Sequence, residues 1–441
     1  MAEYTINGGF ALQGEVEISG AKNVVLPAIA AALLTDEEVR LENVPLIADL
    51  SLMLEMAKGL GVEVNLKNDH TLTLSAARIK NRPIPLDIAA KLRTSFLMLV
   101  PLLTRFGEAE IPNPGGCRIG ARPIERSIEA LCQLGAKITY ESTDGYFHAV
   151  VSKFNGKTFK FAKNTHTGTE MVILAAVLAT GTTILENAAA EPEVDDLINL
   201  LNKMGAKIRR TEPRKIVIEG VKKLKGTNYK IMSDRNEAVT FAIAALVTRG
   251  HVLVKGASPQ NLKIFLEKLT EIGAGWEPQE QGIKFYYQKP LKSAHVVSSP
   301  HPGFMTDWQA PWAVLMTQAE GEAIIHETVY ESRFQYVEQL IKMGAKISFF
   351  NPPVPNRETF YNFNPEDDRP GNFHAIKVTG PTMLHNAVLS IPDLRAGATL
   401  VLGALVARGE SILLGVEHID RGYENFESRL TKIGAKIQRR E

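Results

Sequence analysis

Residues 113–123, NPGGCRIGARP, combine one cysteine, three glycines and two arginines in a pattern that could serve chemistry. Cys117 lies between a glycine pair and Arg118, and Arg122 follows a third glycine. Glycines allow a sharp turn that presents backbone N–H groups to an anion, and nearby guanidinium groups lower the pKa of a thiol. The Lys-Ser/Thr pair of a P-loop is missing. The stretch therefore predicts an anion-binding turn with an available thiolate, or a plain turn that contains a small residue.

Two further stretches carry candidate groups at the predicted starts of helices. Lys22 and Asn23 follow a Ser-Gly-Ala turn and precede an apolar run, which suits an anion clamp, although an exposed loop lysine is the simpler alternative. In TDWQ, Thr306 and Gln309 fit a capping box that places Asp307 in the first helical turn. The helix dipole favours an acid there without any function, but the same carboxylate could act as a general base.

Three arginines complete the set of candidate charged residues. Arg421 lies in IDRGYENF, in a strand-to-helix turn equivalent to the one that carries Cys117 in its own unit. Arg93 and Arg395 precede apolar helical runs, and both could be ordinary surface arginines. We find no arrangement of nucleophile, histidine and acid, and the ten histidines show no metal-ligand spacing.

These candidates are positioned by a unit that recurs six times. A short motif of the type LGVEV or MGAKI marks each unit, and the successive separations of its glycine are 74, 70, 68, 71 and 90 residues. Each unit holds an apolar helical run, a turn, a strand, an amphipathic helix that ends on the glycine as a left-handed C′ cap, and a further strand. The six glycines are Gly61, Gly135, Gly205, Gly273, Gly344 and Gly434.

Alternating strands and helices in two sets of three units predict an α/β fold with two similar domains. A length of 441 residues also favours two domains. The last spacing is longer by about 20 residues, and the excess falls in 351–373, which contains five prolines. We interpret this insertion as a surface loop without catalytic work.

Composition excludes several classes of protein. A formal net charge of +1 argues against a broad nucleic-acid footprint, and two cysteines cannot form a disulfide framework. The start, MAEYTINGGF, lacks the pattern of a signal peptide, and the longest apolar runs are too short to span a bilayer. The sequence is therefore expected to be that of a soluble, cytoplasmic protein with reduced thiols.

The motifs SGAKN, PGGCRIGARP, ENAAAEPE, PHPGFMTD, ESRF, DLRA and HIDRGYE, in this order, resemble those of the UDP-N-acetylglucosamine enolpyruvyl transferase family along essentially the whole chain. The resemblance implies transfer of enolpyruvate from phosphoenolpyruvate to the 3′-hydroxyl of UDP-N-acetylglucosamine through a tetrahedral ketal, with release of phosphate. It implies a two-domain inside-out α/β barrel of three βαβαββ units per domain. The domains are expected at 22–231 and at 1–21 plus 232–441. It implies no cofactor, no metal, no nucleic-acid or membrane partner, and a monomer.

The resemblance also implies a role for each motif residue. Cys117 corresponds to the proton donor, which can form an adduct with phosphoenolpyruvate, and Asp307 to the general base at the sugar hydroxyl. Lys22, Arg122 and Arg421 correspond to residues that grip the phosphate and carboxylate. The other implied substrate-binding residues are Asn23, Arg93, Pro123, Ile124, Glu125, Arg126, Lys163, Asn164, Thr165, His166, Val329, Arg333 and Arg395.

Two departures from the family pattern leave alternatives open. Thr165-His166-Thr167 replaces the usual Ser-Val-Gly near the nucleotide, and Leu97 replaces a tryptophan of some members. The first change allows an enolpyruvyl transferase with another UDP-sugar or a nucleotide as acceptor. A non-catalytic UDP-sugar-binding paralogue is a second alternative, weakened because the motif residues are present. An RNA-end cyclase of similar repeat architecture is disfavoured by the net charge.

Overall fold

The computed structural model describes residues 2–116, 120–121 and 123–441. By the contacts among its Cα atoms the chain divides into two compact units. The C-terminal unit contains the chain up to Ser19 and Ser233–Glu441, and the short described segment 120–121 belongs to it. The N-terminal unit contains the rest of the chain from Gly20 to Met232. Within the described residues, no helix combines the length and the apolar character needed to cross a membrane.

The N-terminal unit alternates short strands with helices. Its helices are α1 (Lys22–Ala32), α2 (Ala48–Gly59), α3 (Leu86–Ala89), α4 (Leu99–Phe106), α5 (Glu125–Gln133), α6 (His166–Ala176) and α7 (Pro192–Lys203), and a 3-10 helix (Arg93–Met98) precedes α4. Its strands are β3 (Val39–Glu42), β4 (Glu63–Leu66), β5 (Leu72–Ser75), β6 (Glu108–Pro112), β7 (Lys137–Glu141), β8 (Tyr146–Val150), β9 (Thr158–Lys160), β10 (Thr182–Glu186), β11 (Lys207–Glu212), β12 (Lys215–Glu219) and β13 (Thr227–Lys230).

The C-terminal unit repeats the same alternation. Its helices are α8 (Arg235–Val247), α9 (Lys263–Glu271), α10 (Thr306–Thr317), α11 (Val337–Lys342), α12 (Arg357–Phe360), α13 (Leu394–Val406), α14 (Glu417–Asp420) and α15 (Phe426–Lys432), with 3-10 turns at Gln260–Leu262 and Pro365–Asp367. Its strands are β1 (Glu3–Asn7), β2 (Gln13–Glu17), β14 (His251–Lys255), β15 (Gly275–Gln279), β16 (Gly282–Tyr286), β17 (Val296–Val297), β18 (Gly321–His326), β19 (Lys346–Phe350), β20 (Ala375–Gly380), β21 (Val388–Ser390), β22 (Glu410–Leu414) and β23 (Lys436–Arg440).

The described strands form six small sheets, so the architecture is mixed α/β. Five sheets have four strands, in the orders β13-β3-β5-β4, β9-β10-β12-β11, β2-β14-β16-β15, β17-β18-β20-β19 and β21-β22-β1-β23. In each of them the first strand pairs in parallel with its neighbour and the other pairs are antiparallel. The sixth sheet, β6-β8-β7, has the antiparallel part alone. One sheet per sequence repeat accounts for the regular spacing of the glycines.

Two kinds of helix accompany every sheet. The helices α1, α6, α8, α10 and α13 are apolar on nearly all faces and almost wholly buried, whereas α4 is buried over Leu99–Leu103 and exposed at Phe106. Each of the six packs on the sheet of its own repeat. A helix that is apolar all round has no face to offer to water and must lie in a core. The second kind comprises α2, α5, α7, α9, α11 and α15, which precede the repeat glycine and pack against the strand that follows it. The short helices α3, α12 and α14 belong to neither kind.

The repeat glycines all adopt the predicted left-handed conformation. Their φ angles lie between +79° and +107°, one residue past the C-cap of the preceding helix. A side chain at such a position strains the backbone, so glycine is the residue that ends these helices at least cost. The predicted cap is confirmed in all six repeats.

The first two strands of the chain belong to sheets of the C-terminal unit. β1 lies between β22 and β23, and Tyr4 is paired with both Leu413 and Arg439. β2 pairs in parallel with β14. Residues more than 400 positions apart therefore share one sheet.

The insertion at 351–373 is partly folded into its unit. It contains α12 and the 3-10 turn at Pro365–Asp367. Tyr361 and Phe363 are only 3% and 5% exposed. The expectation of a surface loop is therefore wrong for these two residues, because their rings pack against each other and against His374.

Replacing Gly205 by alanine should destabilise the protein. Gly205 has a φ of +100° and open space around its Cα, so backbone strain of about 1–2 kcal/mol is the only cost. We expect Gly205→Ala to lower Tm by about 2–4 °C in calorimetry. The matched control is Gly59→Ala at the end of α2, which also meets open space but has no positive φ and should not lower Tm. Equal effects of the two substitutions would contradict the strain argument.

Candidate functional site

Asp307 is the centre of a charged cluster in the C-terminal unit. Its Oδ1 accepts a hydrogen bond from Nη2 of Arg333 at 2.9 Å, and its Oδ2 accepts one from Nε of Arg395 at 3.2 Å. The two arginine side chains are 4% and 7% exposed, whereas that of Asp307 is 22% exposed. The two hydrogen bonds therefore fix the orientation of the carboxylate, which is still partly exposed to solvent.

The electrostatics of the two arginines follow from this burial and pairing. Burial disfavours each guanidinium, but the carboxylates around it outweigh that penalty and raise the pKa of Arg333. For Arg395 the partners Tyr423 and Asp307 likewise raise the pKa above its usual value. Arg395 is 6% exposed as a residue, so the alternative of an ordinary surface arginine is wrong for it.

Asp307 lies in the first turn of α10, as predicted, but the predicted capping box is wrong. The N-cap is Met305, which has no side-chain cap. The Thr306 hydroxyl instead donates to Oε2 of the buried Glu327 at 2.8 Å, and Gln309 accepts a hydrogen bond from the Tyr336 hydroxyl. Without the Thr306 hydroxyl, the buried Glu327 carboxylate would lose a hydrogen bond, which is costly. The hydroxyl therefore bonds to Glu327 and does not cap α10.

The starts of the three buried helices α8, α10 and α13 meet around Asp307. The indole N–H of Trp308 in α10 donates to Asn236 in α8 at 2.9 Å, and Arg395 is the second residue of α13. The N-caps Asp234 and Asp393 accept backbone N–H groups of α8 and α13. Because the first turns of helices carry positive potential, this junction favours anionic groups.

Tyr423 is a member of the cluster that the sequence did not reveal. Its hydroxyl accepts a hydrogen bond from Nη1 of Arg395 at 3.1 Å and lies 2.8 Å from the hydroxyl of Thr240. It follows Arg421, the half-buried C-cap of α14, by two residues. The predicted Arg421 therefore lies on the turn that also carries the partner of Arg395.

The loop at 327–333 connects two predicted residues, Val329 and Arg333, to the start of α10. The Glu327 carboxylate accepts the N–H groups of Val329 and Tyr330 at 2.7 and 3.1 Å in addition to the Thr306 hydroxyl. Burial raises the pKa of Glu327, although these hydrogen bonds act in the opposite direction. In the same loop Glu331 accepts a hydrogen bond from the N–H of Ala121.

In the N-terminal unit, Lys22 is the first residue of α1. Its Nζ lies 2.6 Å from Oδ2 of Asp49, and its side chain is 13% exposed. The alternative of an exposed loop lysine is therefore wrong. Asn23 follows it as the second residue of the helix. Asp49, 27 positions away, had no sequence signal beyond an acid in the first turn of α2.

Arg93 reaches the described beginning of the cysteine-containing stretch. It opens the 3-10 helix, and its Nη1 donates to the carbonyl oxygen of Pro114 at 3.3 Å. A Cβ on Gly115 would stand 1.6 Å from the carbonyl oxygen of Ala90, and Gly116 has a φ of +112°. Gly115 is thus required by the close approach of Ala90, and Gly116 by its backbone conformation. The predicted residues Cys117, Arg118 and Arg122 lie outside the described residues.

The segment 163–166 precedes and opens α6. Thr165 is its N-cap and accepts the N–H of Gly168 at 3.2 Å. Nη1 of Arg126 donates to the carbonyl oxygen of Asn164 at 3.3 Å, which joins two predicted positions. The remaining predicted residues are the half-buried Lys163, Pro123 before α5, its N-cap Ile124, and its first residue Glu125.

His166 forms an ion pair that the family pattern would not contain. Its Nε2 lies 3.2 Å from Oε1 of Glu170, one helical turn along α6. Burial disfavours the imidazolium, but the negative charges of Glu170, Glu191 and Glu193 outweigh this and raise the pKa of His166 to about 9. Glu191 and Glu193, the acidic pair of the ENAAAEPE motif, are 5% and 2% exposed. The histidine therefore carries a positive charge at neutral pH.

Comparison with known proteins gives, along the full length of the chain, the family that the sequence motifs resemble. The sequence profile described as EPSP synthase (3-phosphoshikimate 1-carboxyvinyltransferase) matches residues 6–430. UDP-N-acetylglucosamine 1-carboxyvinyltransferase of Coxiella burnetii is 41% identical over 441 residues, covering 100% of this chain and 96% of that protein. The enzyme of the same name from Hydrogenovibrio crunogenus is 40% identical over 440 residues, covering 100% of both chains.

The chain belongs to the UDP-N-acetylglucosamine 1-carboxyvinyltransferase family.

Solved structures support the fold of this carboxyvinyltransferase family. The enolpyruvyl transferase NikO from Streptomyces tendae has a TM-score of 0.85 at 24% identity, covering 100% of this chain and 99% of that chain. EPSP synthase from Acinetobacter baumannii has a TM-score of 0.73 at 18% identity over the full length of both chains. At these identities the likeness concerns the fold alone.

Removing the Asp307 carboxylate should destabilise this family member. Asp307→Ala leaves two nearly buried guanidinium groups without their shared partner, for which we expect a loss of about 3 kcal/mol in unfolding free energy. The measurement is the thermal transition of the purified protein. The control is Glu63→Ala. Glu63 and its partner Arg78 are both largely exposed, so this substitution should leave Tm unchanged. An unchanged Tm for Asp307→Ala would mean that the arginines are not held by Asp307.

The charge on His166 predicts a specific pH dependence of stability. Its pKa is raised from 6.5 to about 9, so its stabilising effect is fully present below pH 6.5 and is lost as the pH rises through 9. The Tm difference between wild type and His166→Gln should therefore shrink between pH 6 and pH 10. In a Glu170→Gln background the same substitution should show much less pH dependence. A constant difference in the wild-type background would contradict the ion pair.

Proposed function

We propose that the protein is a UDP-N-acetylglucosamine 1-carboxyvinyltransferase, which begins peptidoglycan precursor synthesis. It transfers the enolpyruvyl group of phosphoenolpyruvate to the 3′-hydroxyl of UDP-N-acetylglucosamine and releases phosphate. The observation that carries this proposal is full-length identity of 40–41% to proteins of that name. The charged residues of the two units agree with it, because both substrates are anions.

The reaction requires two groups with opposite tasks. C2 of phosphoenolpyruvate becomes electrophilic when a proton reaches C3, and the sugar 3′-oxygen then forms a bond to C2. The resulting tetrahedral ketal loses phosphate by cleavage of the bond between C2 and the phosphate oxygen, and C3 returns a proton to the conjugate base of the proton donor, which restores the double bond. The carboxylate and phosphate are anionic throughout, and the phosphate gains further negative charge as its bond to C2 breaks, so fixed cations aimed at it lower the barrier.

We assign these tasks to the residues of the motifs. Cys117 gives the proton to C3, and Asp307 receives the proton of the sugar hydroxyl. The geometry that supports the second role is the orientation of the Asp307 carboxylate by Arg333 and Arg395, with part of it reaching solvent. Lys22, at the first turn of α1, is assigned to the substrate anion together with Arg122 and Arg421.

The nucleotide sugar is assigned to a second set of residues. In the C-terminal unit these are Val329 and Arg333, on the loop held by Glu327. In the N-terminal unit they are Asn23, Arg93 and the segment 163–166 at the start of α6, with Arg126 bonded to that segment. The segment lies at the N-terminus of α6, where the backbone N–H groups and the helix dipole suit a phosphate group.

The finer architecture belongs to the same proposal. We assign residues 22–231 to one domain and 1–21 with 232–441 to the other, each an inside-out barrel of three βαβαββ units. The pairwise contacts of the buried helices α8, α10 and α13, each on its own sheet, support this arrangement for the C-terminal unit. A monomeric state and a cytoplasmic location go with the proposed activity and stay predictions.

The activity is tested by incubating the protein with phosphoenolpyruvate and UDP-N-acetylglucosamine and measuring phosphate release. We expect release that requires both substrates, with a product that contains the enolpyruvyl ether. UMP and shikimate 3-phosphate serve as alternative acceptors in the same assay. Release with one of these and none with UDP-N-acetylglucosamine would refute the proposed acceptor.

The proton donor is tested by two substitutions of Cys117. Cys117→Ser should lose activity by several orders of magnitude, because a hydroxyl is a much weaker acid, whereas Cys117→Asp should keep a substantial part. The matched control is Cys132→Ser, which changes the exposed cysteine on α5 and should have wild-type activity. Full activity of Cys117→Ser would show that the thiol has no part in proton transfer.

A further inference from the structure

The insertion occupies a position where other repeats have a tight hairpin. The two strands before and after it, β19 and β20, are neighbours in one sheet, with Phe350 opposite Ala375. The equivalent pairs β4–β5, β7–β8, β11–β12 and β15–β16 are joined by turns of two to five residues. Here 351–374 join them instead. A two-residue turn would complete this sheet, so the sheet itself does not need the extra chain.

The insertion returns to the loop at 327–333 and makes a backbone hydrogen bond with its beginning. The N–H of Asn362 donates to the carbonyl oxygen of Thr328 at 2.7 Å. The preceding residue, Glu327, continues the pairing of β18 with β20, because its N–H donates to the carbonyl oxygen of His374 at 2.7 Å. The loop is therefore held at Thr328 by a segment that the tight hairpins lack.

Side chains reinforce the same contact. Nε2 of His326 lies 3.0 Å from the hydroxyl of Tyr361, and the ring of His326 stacks on Phe360 at 5.2 Å. Burial, with some contribution from His374, lowers the pKa of His326 to about 4. The imidazole is thus neutral near pH 7, which suits a ring enclosed by aromatic side chains.

The insertion is itself fixed at its base and in its middle. The side chain of Asn351 accepts the N–H of His374 at 2.8 Å and donates to the carbonyl oxygen of Asn372. Nε2 of His374 lies 3.0 Å from Oδ2 of Asp368, which also pairs with Arg357. Because the insertion is fixed by these bonds, its contacts can restrain the loop at 327–333.

The contacted residues lie next to those that orient the candidate site. Glu327 accepts the Thr306 hydroxyl, one residue before Asp307, and the N–H of Val329. Thr328, between Glu327 and Val329, is additionally fixed by the backbone and hydroxyl of Ser298. Displacement of Thr328 would therefore change the position of Val329 directly.

We propose that the insertion, residues 351–373, is a positioning element that holds the loop at 327–333 in the conformation that receives the nucleotide sugar. This rests on the proposed function for the identity of the ligand, but the positioning itself does not. Asn362 and Tyr361 are the residues of the insertion that act on the loop, and neither is assigned to touch substrate.

The test compares Asn362→Pro with Asn362→Ala in the full chain. Proline removes the N–H that Thr328 accepts, and Tyr361 before it already has an extended ψ of 141°, which proline requires of its neighbour. Alanine keeps the N–H and removes the same side chain. Asn362→Pro should raise KM for UDP-N-acetylglucosamine about threefold to tenfold, the value of one hydrogen bond, with KM for phosphoenolpyruvate unchanged. Asn362→Ala is the reference for the loss of the side chain alone, so the increase in KM is taken between the two variants.

Amide hydrogen exchange gives a readout that does not depend on turnover. The amides of 327–333 should exchange faster in Asn362→Pro than in Asn362→Ala, because only the proline variant lacks the N–H that Thr328 accepts. If Asn362→Pro does not fold, Tyr361→Phe, which removes only the hydroxyl beside His326, should show the same directions with smaller effects. Unchanged exchange in the folded variant overturns the positioning role. A wild-type protein inactive on UDP-N-acetylglucosamine refutes the proposed function, while the exchange comparison still decides the positioning.

Discussion

A helix that is apolar on every side can be stable only if protein covers it completely, and this constraint organises both units. α8, α10 and α13 satisfy it by packing on one another and on their own sheets. The charged side chains of these helices lie in their first turns, and the unpaired N–H groups of those turns must also find partners there. Asp234 and Asp393 provide caps, and Asp307 occupies the first turn between them. Charged chemistry is therefore concentrated at one junction because no other part of these helices can carry it.

The repeat made most of this architecture predictable from the sequence. Each of the six repeat positions requires glycine because it takes a positive φ directly after a helix. Because these positions are regularly spaced, the repeat can be recognised in the sequence alone. The apolar runs predicted the buried helices, and Asp307 was correctly placed in the first turn of α10. The wrong assignment at the same place, the capping box, came from a local rule. Glu327, 21 residues further, takes the Thr306 hydroxyl and so overrides it.

The residues that the sequence did not reveal are partners across long separations. Lys22 pairs with Asp49, and Arg395 bonds to Asp307 and to Tyr423. Asp49 lies outside all the quoted motifs, and Tyr423 lies inside HIDRGYE without a feature that marks it as a partner of Arg395, since the choice of partner depends on how the repeats pack. The same holds for Tyr361, whose burial depends on a turn of the insertion back to His326. The motifs therefore indicated the charged residues of the candidate site, whereas the packing of the repeats determines which side chains pair with them.

The pairing of β1 with β22 and β23 has a consequence for the folding of the chain during its synthesis on the ribosome. Tyr4 and Ile6 are wholly buried in the finished sheet, yet both of their partner strands lie beyond residue 409. At a synthesis rate of about 5–20 residues per second, β1 waits about 20–80 seconds for them. Throughout that time the growing chain contains a strand with two apolar side chains and two unpaired edges, and such an edge is open to wrong pairing. The nascent protein must therefore protect its first strand until its last repeat has been made.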